Sequence, residues 1–262
     1  MPLVVREIPG TGRSDAISPY SYPGAKVSGG AVDRDAIDLG ASGLVSAFVR
    51  DRLGEPAAFS GATDRSVVLV SDPAEPRKSR MSDRQQVRKN EAAGYEISAL
   101  PGPDVDAAAL GGFLAVYTET MRAVDAADHY FFGADYFRTL LGSPLSWLIT
   151  VTAPEGECAA AALVVRSDGF LHYYLSGTAD AHRRRAPSKN LIVAVTEFAE
   201  QRGLPLNLGG GLRPGDGLEE FKRGFANTEL PFRTHELICD PAAYAELSAG
   251  RTDDGFFPLY RR

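Results

Sequence analysis

Hydrophobic and polar positions along the chain fall into two regimes that meet near residue 92. Before that point the pattern is irregular. Residues 3–8 predict a short strand, a loop rich in Pro, Gly and Tyr follows, and Leu44, Val45, Phe48, Val49 and Leu53 recur at a spacing that predicts a helix. The run SVVLVS at 66–71 is continuously apolar and predicts a buried strand. Residues 73–76 then turn the chain into a basic segment, helical from about Ser82.

Beyond 92 the periods become regular. Residues 95–100 (YEISAL) predict a strand, and Asp104 begins a helix in which Leu110, Phe113, Leu114, Tyr117 and Met121 recur at helical spacing. A second short helix is predicted over 134–141. Strands follow at 145–152, 157–166 and 170–176, with turn signals at Pro154-Glu155-Gly156 and Ser167-Asp168-Gly169, the Asp-Gly pair favouring a tight hairpin. The stretch 188–202 carries Leu191, Ile192, Val195, Phe198 and Ala199 on one helical stripe, with Gly203 past its end. A strand at 204–208, a short helix at 216–224, a strand at 232–238 and a helix at 241–247 complete the pattern. These elements predict an α/β chain (α+β, mixed sheet) with an amino-terminal part over 1–92 and a regular domain over 93–262.

Composition adds exclusions. With 262 residues, 44% hydrophobic and 24% charged, the chain is neither disordered nor fibrous. Its longest apolar run, 158–165, is eight residues, against roughly 20 needed to span a bilayer. No basic start followed by an apolar stretch stands in the first 30 residues, so a cytoplasmic protein is expected. Cys158 and Cys239 lie in no C-x-x-C, which predicts buried thiols, with neither disulfide nor metal. The net charge of −6 gives no general attraction to nucleic acid. Two basic clusters run against it: Arg77, Lys78, Arg80, Arg84, Arg88 and Lys89, and Arg183, Arg184, Arg185 and Lys189. Solvated surface is one reading of such runs, and an anionic ligand is the other.

From residue 95 the order is strand, helix, helix, three strands, helix, strand, helix, strand. That order matches the GCN5-related N-acetyltransferase (GNAT) architecture, a mixed sheet splayed at its middle so that an acyl donor lies between its fourth and fifth strands. Shorter motifs narrow the match: SPYSYPG at 18–24, YFFGADYF at 130–137, LSGT at 175–178, LGGG at 208–211 and FKRGF at 221–225. Together they resemble the FemABX-like branch of the superfamily, most strongly over 113–232. Members of that branch transfer an amino acid from aminoacyl-tRNA to an amine, in cell-wall bridge peptides or peptide-like natural products. The resemblance implies a GNAT-like acyltransferase domain behind a shorter, incomplete GNAT-like part or acceptor-side extension.

It also implies candidate residues. CoA-using GNAT proteins carry Q/R-x-x-G-x-G/A after the fourth strand, where glycines let backbone N–H groups approach a pyrophosphate. The corresponding turn here, 183–190, has no glycine. Its cations and the following helix start suit a tRNA acceptor end better, which makes Arg183, Arg184, Arg185, Lys189, Asn190 and Arg223 candidates for donor binding. Lys222 is one of only five lysines beside 23 arginines; the matching lysine of bridge-forming relatives is assigned to the oxyanion, although a surface charge is the plain alternative. Candidates for the acceptor side are Tyr20, Tyr22, Tyr174, Ser176, Gly210, Asp216 and Phe221. For a general base, Asp216, Glu219, Glu220, His172 and His182 are available, none with a diagnostic partner, and His172 reads as a satisfied core residue. The expected activity is aminoacyl transfer to a small peptide, nucleoside-peptide or cell-wall-precursor-like amine. Aminoacyl-tRNA is then a co-substrate, with no bound cofactor, metal or membrane. An acyl-CoA-dependent N-acyltransferase, and a catalytically silent GNAT-like module that grips RNA through the two basic clusters, are the alternatives.

Overall fold

The computed structural model describes residues 1–26, 32–211 and 215–262. These divide into two units, 1–67 with 230–262, and 68–229. The expected boundary at 92 falls inside the second. In chain order the strands are β1 (Val4–Ile8), β2 (Arg13–Ile17), β3 (Ser46–Arg50), β4 (Thr63–Ser71), β5 (Glu96–Pro101), β6 (Ser146–Thr152), β7 (Cys158–Ser167), β8 (Phe170–Thr178), β9 (Leu206–Gly209) and β10 (Thr228–Ile238). The helices are α1 (Met81–Ala92), α2 (Ala107–Ala123), α3 (Ala134–Leu141), α4 (Ser188–Glu200), α5 (Gly217–Arg223) and α6 (Pro241–Ser248). Among the described residues no helix is long and apolar enough to cross a membrane.

In the first unit β1 pairs antiparallel with β2, β2 parallel with β3, and β3 antiparallel with β10. Residues 44–53, expected as a helix, therefore supply a strand. The cause is β3's position between β2 and β10, remote in sequence: it buries Ala47 and Val49 and leaves Phe48 and Arg50 half-buried, and the apolar Phe48 on the second face masks the period-2 alternation. Strand β2 escaped the pattern for a different reason. Its Asp15 is fully buried as the hub of an ionic network, accepting from Arg6 Nε at 2.9 Å, Arg261 Nε at 2.7 Å, Arg261 Nη2 at 3.0 Å and the Tyr260 hydroxyl at 3.2 Å.

The second unit orders its strands β4, β9, β8, β7, β6, β5, with β9 antiparallel to β4 and parallel to β8, and the remaining pairs antiparallel. Asp168 and Gly169 close the β7–β8 hairpin with φ of +50° and +83°, the left-handed pair that a two-residue I′ turn requires. Helices α2 and α3 cover one face around Phe113, Tyr117, Phe137, Leu148 and Leu163. Helix α4 covers the other around Ile149, Val164, Leu171, Ile192, Val195 and Leu208, and α1 packs on α4.

In the aromatic segment 130–137, Phe137 is fully buried and meets Phe113 edge-on at 4.9 Å, Phe132 and Tyr136 pack half-buried against the same cluster, and Phe131 is exposed. Gly177 of the LSGT motif marks where α2 lies hardest against β8. A Cβ there would fall 2.3 Å from the Val116 carbonyl oxygen and 2.5 Å from the Tyr117 nitrogen. Gly177→Ala is accordingly expected to lift α2 from the sheet at a cost of at least about 1–3 kcal/mol, read as a lower urea midpoint at unchanged m-value.

Candidate active site

Between β8 and β9 the sheet opens. Only Leu171↔Leu206 and His172↔Asn207 are paired, so from Tyr173 to Thr178 the β8 edge facing β9 has no partner in that strand among the described residues. At this divergence β8 also shifts register: Leu163 faces Leu175 and Val164 faces Tyr173, leaving Tyr174 as the extra residue of a bulge. The Tyr174 hydroxyl shares a hydrogen bond of 2.7 Å with Tyr136. Burial pushes the Tyr173 phenol up to about 12, a hydrogen bond with Ser176 partly opposing it, so Tyr173 stays a neutral hydroxyl at the first open position. The sequence singled out Tyr174 and Ser176 but missed Tyr173, which nothing in the local pattern separates from its neighbour.

On the β9 side the chain leaves the sheet through Gly209, which has φ of +73°. Lys222 reaches back from α5 and donates from Nζ to the Gly210 carbonyl at 2.8 Å. A Cβ on Gly209 would stand 3.3 Å from that Nζ, so both the backbone angle and the ammonium's approach favour glycine. Lys222 is half-buried. Loss of solvent lowers its pKa to about 8, with the Asp216 charge acting the other way; at neutral pH it is mostly an ammonium, with three N–H donors of which Gly210 takes one. Its neighbours on α5 are engaged. Phe221 packs on the core and edge-on to Phe225 at 5.4 Å. Arg223 is bound by Glu219 at 2.6 Å and also pairs with Glu229.

The candidate bases are committed elsewhere. Asp216 caps α5 by accepting from the Glu219 N–H at 2.8 Å. Glu219 is held below the usual carboxylate range by the Arg223 hydrogen bond and the Gly215 N–H. Glu220 lies 3.6 Å from Arg80. His172 is buried, with Nδ1 2.9 Å from the Asn207 amide and Nε2 3.0 Å from the Ser167 hydroxyl, and burial lowers its pKa. His182 bridges the Tyr95 hydroxyl and Glu157, each at 2.8 Å. Cys158, half-buried, has its thiol pushed up to about 11 by burial, and no group of three His, Cys, Asp or Glu among the described residues is placed to hold a metal.

The turn at 183–190 splits in two. Arg183, Arg184 and Arg185 are exposed, and Arg183 pairs with Asp180 at 2.7 Å. Ala186 adopts φ +48°, ψ +53°, the left-handed region that favours glycine. The next two candidates face inward. Lys189 pairs with the buried Asp83 of α1 at 2.8 Å, while Asn190 is fully buried, accepting from Asn90 at 2.7 Å and donating to the Val87 carbonyl. Asn90 also donates to the Arg185 carbonyl at 2.8 Å, so α1 holds the turn in place. Tyr20 and Tyr22 belong to the first unit. There the SPYSYPG loop is tied to β3 through the Ser18 N–H to Phe48, and Tyr22 meets Phe232 edge-on at 5.7 Å. Within the glycine-rich stretch, residues 212–214 lie outside the described residues.

Residues 77–223, more than half of the chain, match the acetyltransferase (GNAT) domain family. No curated protein matches the sequence. Among solved structures the fold is similar to that of FemX, with a TM-score of 0.65 at 11% identity over 93% of this chain and 85% of that one. It is also similar to L-PGS from Bacillus licheniformis, with a TM-score of 0.59 at 12% identity over 91% and 81% of the two chains.

Proposed function

We propose, from the premise that this chain belongs to the acetyltransferase (GNAT) domain family and is an acyltransferase, that its acyl donor is aminoacyl-tRNA and its acceptor the amine of a small peptide or nucleoside-peptide. The observation that carries this reading is the donor turn. Three exposed guanidiniums stand at Arg183, Arg184 and Arg185, and Ala186 occupies the left-handed region that favours glycine. Cations that project into solvent suit a polyanionic strand, whereas a pyrophosphate gripped by backbone wants the Cβ removed. The resemblance to the FemABX-like branch points the same way.

In this reading the amine nitrogen attacks the ester carbonyl carbon in the opening between β8 and β9. The Lys222 ammonium stabilises the oxyanion, the bond to the ribose oxygen breaks, and that oxygen leaves with a proton as the amide forms. The amine's own proton passes to solvent, since every carboxylate and imidazole proposed as a base already has a partner.

One feature favours acyl-CoA instead. Helix α4 begins with no side-chain cap; the Lys189 N–H already donates to the Ala186 carbonyl at 3.0 Å, and the other N–H groups of the first turn are the ones a phosphate would meet. A paired assay decides. Aminoacyl-tRNA labelled in the amino acid is incubated with a panel of amines, with and without RNase, alongside labelled acetyl-CoA. Transfer that RNase abolishes and acetyl-CoA does not support is the expected result; transfer from acetyl-CoA alone would sink the tRNA reading and install the other.

A further inference from the structure

The basic segment 77–89 does not act as one surface. Arg80 donates to the Glu220 carbonyl at 3.1 Å and packs on α5, whereas Arg77, Arg84 and Arg88 converge on a cavity of about 340 Å³ in the second unit, against α1 and α4. Val87 and Val193 also line it, with Ser79, Glu91 and Glu197. The volume lies at the low end for small-ligand sites.

Its charges are unevenly matched. Arg77 is neutralised by Glu197 at 3.1 Å and Glu200 at 3.5 Å. Arg84 donates only to the Ser79 carbonyl, and among the described residues neither Arg84 nor Arg88 forms an ion pair. The two stand four residues apart on one helix, a like-charge spacing that costs α1 a few tenths of a kcal/mol. The Ser79 hydroxyl, buried on the same wall, has no hydrogen-bond partner, and such a group calls for one. Two guanidinium forks without a carboxylate partner among the described residues, and an unused hydroxyl, make a donor set for a phosphate group.

Position selects which phosphate. Helix α1 carries Arg84 and Arg88 near its middle and, at Asn90, holds the backbone of the donor turn. Six residues of helix separate Arg84 from Asn90, about 9 Å, a distance that a few nucleotides of an unpaired strand such as a tRNA 3′ end span. We propose that the cavity bounded by Arg84, Arg88 and Ser79 binds a backbone phosphate of the donor RNA a few nucleotides from its aminoacylated end. This rests on the reading that the donor is tRNA. Glu91, the remaining carboxylate of the wall, confines the site to one anionic group.

The test measures fluorescence anisotropy of labelled deacylated tRNA with the full chain over graded KCl. The proteins are wild type, the double variant Arg84→Gln/Arg88→Gln, and Arg122→Gln, which removes one cation from α2, as a control away from the cavity. The double variant is expected to bind about tenfold more weakly and to lose about 1 from the slope of log affinity against log salt, with Arg122→Gln unchanged. Its transfer rate at saturating donor stays at the wild-type value, because only uniform binding is removed. Ser79→Ala weakens binding in the same direction by a smaller factor.

Wild type that binds tRNA while the double variant binds equally well overturns the pocket and leaves the donor reading standing. Wild type with no affinity for tRNA overturns both. A calorimetric titration with adenosine monophosphate adds the second source of the same chemistry: micromolar affinity lost in the double variant, with tRNA binding intact, would assign the cavity to a free nucleotide and end the RNA proposal.

Discussion

Lys222→Met is expected to slow single-turnover transfer by about 100- to 1000-fold while leaving tRNA affinity nearly unchanged, the loss that follows removal of one oxyanion donor. The pH dependence identifies the cause. The acting form is the ammonium, and its pKa in the folded chain is lowered to about 8, so the wild-type rate falls as pH rises through 8, above an ascending limb set by the acceptor amine. The descending limb disappears in Lys222→Met. In Lys222→Arg it also disappears, because a guanidinium stays charged there, but the planar fork cannot sit at the same point and restores only part of the rate.

Stability moves the other way. Holding the lysine's folded pKa below its unfolded value means that the unfolded chain binds more protons between pH 8 and about 10.5, so the wild type gains stability as pH rises through that window. Lys222→Met lacks the buried cation and should show a higher denaturation midpoint at pH 7, with the advantage shrinking toward pH 10.5. A near wild-type single-turnover rate in Lys222→Met would reduce the residue to a structural charge.

Asp15→Ala is expected to destabilise the first unit by about 3 kcal/mol. Removing one member of a buried ionic group leaves its partners uncompensated, and here Arg6 and Arg261 lose the same carboxylate. The figure sits at the lower end for such losses because the two arginine side chains are 32% and 22% exposed and regain some water. Urea denaturation followed by a probe in 1–67 or 230–262 reads the change. Arg13→Ala is the control: its pair with Glu246 is exposed on both sides, and such pairs contribute under about 1 kcal/mol. A shift for Asp15→Ala no larger than that for Arg13→Ala would mean that the network adds nothing to folding.

Sequence patterning was informative where an element's partners are near in the chain. The β6–β7–β8 meander, the Asp168-Gly169 turn, α3 and α4 all follow from local period and turn chemistry, because each strand pairs with its neighbour in sequence and each helix shows one apolar stripe. It was uninformative where the deciding contact is remote. Strand β3 takes its form from β10, some 180 residues later, and β2 is held by an aspartate whose partner Arg261 lies 246 positions away. The donor turn divides along the same line. Its exposed arginines were visible as a charge run, but only Asn90 and Asp83, a hundred residues upstream, decide that Asn190 and Lys189 turn inward. Lys222 stood out because lysine is scarce in an arginine-rich chain, a compositional signal that needs no structure; the lowering of its pKa and its hold on Gly210 did not.

The split of the first unit into 1–67 and 230–262 has a consequence for biosynthesis. At translation rates of about 5–20 residues per second, roughly 8–30 s pass between the emergence of residue 67 and that of residue 230. By the end of that interval 68–229 has its whole sequence available and can fold. β1, β2 and β3 meanwhile wait with one edge of β3 unpaired and Asp15 without Arg261. An open strand edge is a template for wrong pairing, so the nascent chain is most exposed to aggregation and to proteases through the segment made first. Codon changes that slow synthesis within 68–229 should therefore lower the yield of folded protein, even though the enzyme they encode is unaltered.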